Sequence, residues 1–196
     1  MATVDNTIVA LKPFEVVKVI SAKNYVYIKD DTGASMIFDY NDAHSMGSLV
    51  EGATVNGFVG KKGAYNKNPQ LTPSVDYSTL SVSGSGTAVA TEITEVKAED
   101  VNKFVVLKGV EITSNVNINT NPTFTVNGKD IVFRNQLERN FEFQADMLYD
   151  IYGFVGIYNE TVQFWFLEAA SAGSAIEYYT VTYEKGASDV IGNVPV

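Results

Sequence analysis

The sequence predicts an all-β fold, and three observations carry the prediction. Eleven Tyr and eleven Phe stand against a single Trp, with Val, Ile and Thr abundant, a mixture that suits half-buried strands better than helices. Short apolar runs are bounded by Gly, Asn and Asp clusters, the usual punctuation of strands and turns. The tetrapeptide Gly-Phe-Val-Gly occurs twice, at 57–60 and 153–156, each time ending an apolar run. Upstream, Met36-Ile37-Phe38-Asp39-Tyr40 lies against Ile131-Val132-Phe133-Arg134-Asn135. The tetrapeptides are 96 residues apart and these runs 95, a slip that one loop insertion produces.

In the first block, Phe14 to Ile20, Tyr25 to Lys29 and Ser35 to Asp39 read as strands, the last two joined by the turn Asp30-Asp31-Thr32-Gly33. Residues 41–52 are polar and Gly-punctuated, enough for a loop or a short helix. Ala53 to Gly60 is the fourth strand. Asn68 to Pro73 is the fifth, and Pro69 and Pro73 predict an edge position for it.

The second block repeats the plan. Phe104 to Thr113 is a long first strand interrupted by Gly109, and Thr123 to Val126 and Asp130 to Arg134 flank Asn127-Gly128, a strong hairpin signal. Tyr149 to Ile157 is the fourth strand and Val162 to Glu168 the fifth, with 135–148 connecting and 95–103 allowing a helical turn. Ser81 to Thr87 and Ala170 to Ser174 have linker compositions. The organisation is therefore a first module over 1–80, a linker over 81–94, a second module over 95–170, and a linker with a strand-like tail, Tyr178 to Tyr183, over 171–196. Five strands with a glycine-bent first strand and a connection between the third and fourth describe an OB-like Greek-key barrel, here two in tandem.

Composition narrows the function. The net charge of −9 opposes long-range attraction of a polyanion. The acidity is concentrated: residues 1–86 hold seven Lys and eight acids, net −1, and residues 87–196 seven Lys or Arg and fifteen acids, net −8. Cysteine is absent, which removes disulfides, thiolate zinc sites and Cys nucleophiles. The stretch Met1 to Asp5 has neither a basic nor an apolar signal region, and no apolar run reaches membrane-spanning length.

The stretches "NYVYIKDDTGASMIFDY", "LVEGATVNGFVG" and "YNKNPQLTP" resemble the OB-like modules of Bacteroides-type secreted proteins and lipoproteins. The second block, with "FVVLKGVEIT", "FTVNGKDIVF" and "DIYGFVGIY", is similar to the degenerate partner copy beside such modules, although it lacks the Asp-x-x-Gly turn and the Pro-Gln-Leu strand. The tail "YYTVTYEKGASDVIGNVPV" is similar to the opening of an internalin-type B repeat. The resemblance covers residues 5–170. It implies an exported, modular protein of the cell surface, periplasm or extracellular space, with any lipid anchor outside this chain.

OB barrels commonly bind across strands two and three, bordered by the loops one–two and four–five. In the first module these elements supply Tyr25, Tyr27 and Lys29 at alternating positions, Phe38 and Tyr40 on the neighbouring strand, and Lys61, Lys62, Tyr65 and Lys67 in the loop. Alternation sends Val26 and Ile28 to the core and the tyrosines to the other face, where rings beside ammonium groups can stack on sugars or bases. The alternative is that Tyr25, Tyr27 and Phe38 pack against the linker or the second module, since sheet aromatics stabilise sheets without any ligand.

No catalytic signature accompanies this cluster. His44 is the lone imidazole and has no advertised nucleophile, and Asp30, Asp31, Asp39 and Asp42 do not fit a calcium loop. No cofactor or metal is expected. The sequence predicts a non-catalytic binding or spacer module whose ligand is a glycan or another surface protein, with a single-stranded nucleic-acid binder and a purely structural spacer as alternatives.

Overall fold

A computed structural model describes residues 6–175, and the chain is all-β. The tail strand expected at Tyr178 to Tyr183 lies outside the described residues. Along the first half run β1 (Ile8–Ala10), β2 (Phe14–Ile20), β3 (Tyr25–Asp30), β4 (Gly33–Phe38), β5 (Thr54–Asn56), β6 (Val59–Tyr65), β7 (Asn68–Pro73) and β8 (Ser81–Ser83). The second half carries β9 (Thr91–Glu92), β10 (Phe104–Ile112), β11 (Val116–Asn117), β12 (Thr123–Val126), β13 (Lys129–Arg134), β14 (Glu142–Phe143), β15 (Met147–Tyr158) and β16 (Thr161–Ser174). Single 3-10 turns, among them Ala98–Asp100, fill several connections.

In the first module β2 pairs antiparallel with β3, and β3 with β4; β4 runs parallel to β7, and β7 pairs antiparallel with β6. The predicted fourth strand, Ala53 to Gly60, is in fact two strands. It breaks at Gly57-Phe58, where Gly57 takes φ +90°, a backbone that glycine adopts at little cost. The halves keep one register: Phe14 faces Val55 and Glu15 faces Thr54, while Val9 faces Gly60 and Ala10 faces Val59. A single strand of two halves, 8–20, therefore runs against a second, 54–65, and the chain of pairings returns to its start.

The prolines of β7 do not place it at an edge, since it lies between β6 and β4. The two-residue turn Asn66-Lys67 closes the hairpin at Tyr65↔Asn68, which puts Pro69 and Pro73 opposite Ala64 and Gly60 in non-hydrogen-bonded pairs. Their missing N–H groups thus face β4, where the ladder is a single pair, Ile37↔Leu71.

The second module repeats the scheme: β10 with β15 and β15 with β16 antiparallel, β13 parallel to β16, β12 with β13 antiparallel. Asn127 and Gly128 both have positive φ, as a type I′ turn requires. Gly109, at φ +57°, sits in the bulge between Leu107 and Val110. Here β10 and β12 approach without forming a ladder. Two segments expected to be linkers are strands: Ser81–Ser83 pairs with β5, and β16 continues against β15 as far as Ser174. Small polar residues read as linker because they bring no apolar alternation, yet backbone pairing does not require one.

Each module has its own apolar core, one centred on Val16, Ile28, Ile37 and Phe58, the other on Leu107, Phe133, Phe143 and Phe164. A third cluster joins them. The repeated tetrapeptide is not equivalent in the two copies. Phe58 lies edge-on to Phe14 inside the first core, whereas Phe154 belongs to the joining cluster and Val155 to the second core. The side-chain period of a strand is two, so a one-residue slip between the copies exchanges the faces.

Candidate functional site

The predicted face alternates as expected. Val26 and Ile28 enter the first core, and Tyr25 and Tyr27 project from the other side of β3 with Met36 and Phe38 of β4. That side is not open. Tyr27 is 0% exposed, and its ring stacks on Phe154 of β15 with centroids 3.5 Å apart and planes 11° from parallel. Trp165 and Leu167 of β16 and Leu137 complete the cover from the second module, and Ala88 seals it from the connecting segment. Tyr27 is therefore corrected from an exposed stacking platform to the centre of a buried inter-module contact. Tyr25 and Phe38 are half-buried at its margin, packed edge-to-face with centroids 5.6 Å apart.

Glycine lets Trp165 lie close against the neighbouring strand. A Cβ on Gly156 would collide with the Trp165 indole, so the flat face of Trp165 rests on bare backbone of β15. Phe164 to Leu167 is a continuous apolar run whose members are all buried: Phe164 and Phe166 face the second core, while Trp165 and Leu167 face the first module. A strand buried on both faces reads in this way.

Polar groups pin the contact. In one set, the Asn68 side chain donates to Asn102 Oδ1 (3.1 Å) and accepts from the Ile157 amide (2.9 Å), and Asn102 donates to the Pro69 carbonyl (2.9 Å). Both asparagines are buried. Beside them two hairpin tips meet: the Asn159 amide donates to the Asn66 carbonyl (3.0 Å), and Lys67 pairs with Glu160 at 3.8 Å. Elsewhere along the contact Gln136 donates to Tyr25 Oη (3.4 Å) and accepts from Arg134 Nε (3.2 Å), and Lys23 pairs with Glu138. Asn68 and Asn102 were not legible as contact residues, because asparagine in sequence signals turns.

The remaining predicted residues disperse. Tyr40 and Tyr65 are 66% and 62% exposed. Tyr40 meets the edge of Phe38 (6.1 Å), and among the described residues no ring contact joins Tyr40 to Tyr65. Lys67 is engaged with Glu160. Lys61 projects to solvent, and Lys29 and Lys62 lie at a separate cleft of the first module. The Asn-rich loop of the second module is built of turns, with Asn117 capping Asn119 and Asn121 accepting from the Asn135 amide.

His44 Nδ1 lies 3.1 Å from Asp39 Oδ1. Asp39 also accepts the His44 and Met46 amides, which identifies the carboxylate as the tie of the 40–48 loop. Among the described residues no hydroxyl contacts this imidazole, no group of three or more His, Asp or Glu is arranged to hold a metal, and no helix is long and apolar enough to cross a membrane. No protein-family model matches the chain, and neither a curated protein nor a solved structure matches it.

Proposed function

We propose that the chain is a non-catalytic spacer unit of an exported, modular bacterial protein, made of two OB-like barrels locked to each other. The pairing scheme common to both modules supports the barrel reading. A strand of two halves gives the first module closure, and the second stays open between β10 and β12. Export, a surface or periplasmic location and the lack of enzymatic activity rest on the resemblance and on the absence of a catalytic signature in the sequence.

The observation that carries the spacer reading is the burial of Tyr27 under Phe154. The strand two–three face that an isolated OB barrel offers to ligands is here committed to the neighbouring barrel. A tandem pair fixed in this way transmits position, as a spacer must, and lacks the exposed aromatic platform that a sugar or single-stranded nucleic acid would use.

The test is a pair of titrations of the intact protein, against a glycan array and against single-stranded oligonucleotides at low salt, joined to unfolding of Tyr25→Ala/Tyr27→Ala. The spacer reading expects neither titration to saturate and the double variant to lose stability alone. Saturable glycan binding abolished by Tyr40→Ala or Tyr65→Ala would replace it with a carbohydrate module. Oligonucleotide binding that falls steeply with salt would replace it with a nucleic-acid module.

A further inference from the structure

The mouth of the first module carries a feature that the spacer reading neither uses nor requires. Across the β6–β7 ladder Lys62 faces Leu71, so both project from the same side of the sheet, and Leu71 belongs to the first core. Ser35 faces Ile28 across β3–β4, and Ile28 is also a core residue. Strand parity therefore sets a lysine, itself exposed at the rim, and a half-buried serine on the inner side of the sheet at one end of an otherwise apolar interior.

That end is open. The β4–β7 ladder is a single pair, Ile37↔Leu71, so the Gly33–Ser35 end of β4 is not laddered to β7. The result is a cleft of about 440 Å³ with Phe14, Ile28 and Leu71 as its floor and Val9 and Leu11 as one wall, within the size range of small-molecule sites.

The charges around the cleft are unequal in availability. Lys29 is paired with Glu15 at 3.3 Å. Asp30, also in the lining, turns Oδ1 to the Thr32 amide (2.7 Å), the Thr32 hydroxyl (2.6 Å) and the Gly33 amide (3.1 Å), which hold this carboxylate ionised at the turn end of the cleft. Lys62 has no ion-pair partner among the described residues. Among the described residues the cleft thus combines the edges of nearly buried core side chains with one lysine that has no ion-pair partner, the Ser35 hydroxyl and, at the turn end, the Asp30 carboxylate.

We propose that this mouth binds a small amphipathic carboxylate. Its apolar body lies against Phe14, Ile28 and Leu71, and its carboxylate is held by Lys62 Nζ with the Ser35 hydroxyl as a second donor. Charge complementarity selects this occupant. A neutral apolar molecule gains nothing from the solvated ammonium at the rim, and a cation is repelled by it.

The experiment uses the whole chain, isotope-labelled for amide NMR and titrated with 4-phenylbutyrate, 4-phenylbutanol and 4-phenylbutylamine. Expected is saturable movement of the Val9, Ser35 and Leu71 amides with the carboxylate, binding of the alcohol weaker by about tenfold, as loss of one charge-assisted contact implies, and no saturation with the amine. Lys62→Glu should weaken the carboxylate by about tenfold or more while Lys62→Arg retains most of the affinity. Equal melting temperatures establish that both variants fold. Carboxylate binding unchanged in Lys62→Glu, equal affinity for the alcohol, amide movements confined to the Tyr27–Phe154 contact, or no movement at millimolar ligand would each overturn the proposal.

Discussion

Asp39 is a carboxylate with almost no access to water, and the donors of the following loop converge on it. Burial alone would raise its pKa. The Met46 amide and the His44 ring and amide outweigh that cost and hold it below the ordinary carboxylate value. Because the folded pKa lies below the unfolded one, the stabilisation is complete above the ordinary range near pH 4. It is lost as the pH falls through the lowered pKa. Asp39→Asn should cost about 1.5–3 kcal/mol in urea unfolding at pH 7 and flatten the acid-side loss of stability; an unaltered acid limb would refute the role.

Tyr27 sets the alkaline side. Burial, with a smaller contribution from Tyr25, pushes its hydroxyl well above the ordinary value, and Oη has no hydrogen-bond partner among the described residues. A raised pKa contributes stability that is complete below about pH 10 and lost as the pH climbs through the folded value. Tyr27→Phe removes an unpartnered buried hydroxyl, so it should be neutral or stabilising at pH 7 and should shrink the alkaline loss. A clear destabilisation at pH 7 would mean that the hydroxyl is hydrogen-bonded after all.

At the scale of elements, the hairpin tips and the strands behind them join the modules. Asn68→Ala would leave the Ile157 amide and Asn102 Oδ1 without the partners they have here, at a cost of about 1–3 kcal/mol. Hydrogen exchange at Ile157 should accelerate with it, and an unchanged exchange rate would remove the asparagine from the account. Gly156→Ala drives a methyl group into the Trp165 indole and should cost about 1–3 kcal/mol by overpacking, measured by thermal unfolding.

Elements with strong local signals were legible: β2, β7 and β12 fall where the sequence placed them, and Asn127-Gly128 turns as its composition requires. What the sequence hid depends on partners distant in the chain. The break at Gly57-Phe58 comes from closure against β1 and β2, β8 exists because β5 offers an edge, and the exchange of faces between the tetrapeptides follows from one residue of slip. Sequence alternation separated the two faces of β3 but could not say whether its outer face met water or Phe154.

For the whole molecule, the joining cluster packs the two cores against each other. Phe154→Ala removes a fully buried ring that touches Tyr27 and Phe104 and should cost about 3–5 kcal/mol. It should also split a single unfolding transition into two, because each module keeps its own core. Two acids of the second half meet lysines of the first, Glu138 with Lys23 and Glu160 with Lys67.

The most direct test of the central claim, that the aromatic face of the first module is an inter-module contact, is a double-mutant cycle between Tyr27 and Phe154 using Tyr27→Ala, Phe154→Ala and the double variant. Stacked rings predict a favourable coupling of about 0.5–1.5 kcal/mol beyond area burial, and both single variants destabilised. Strictly additive costs, or a Tyr27→Ala variant as stable as the parent, would contradict it.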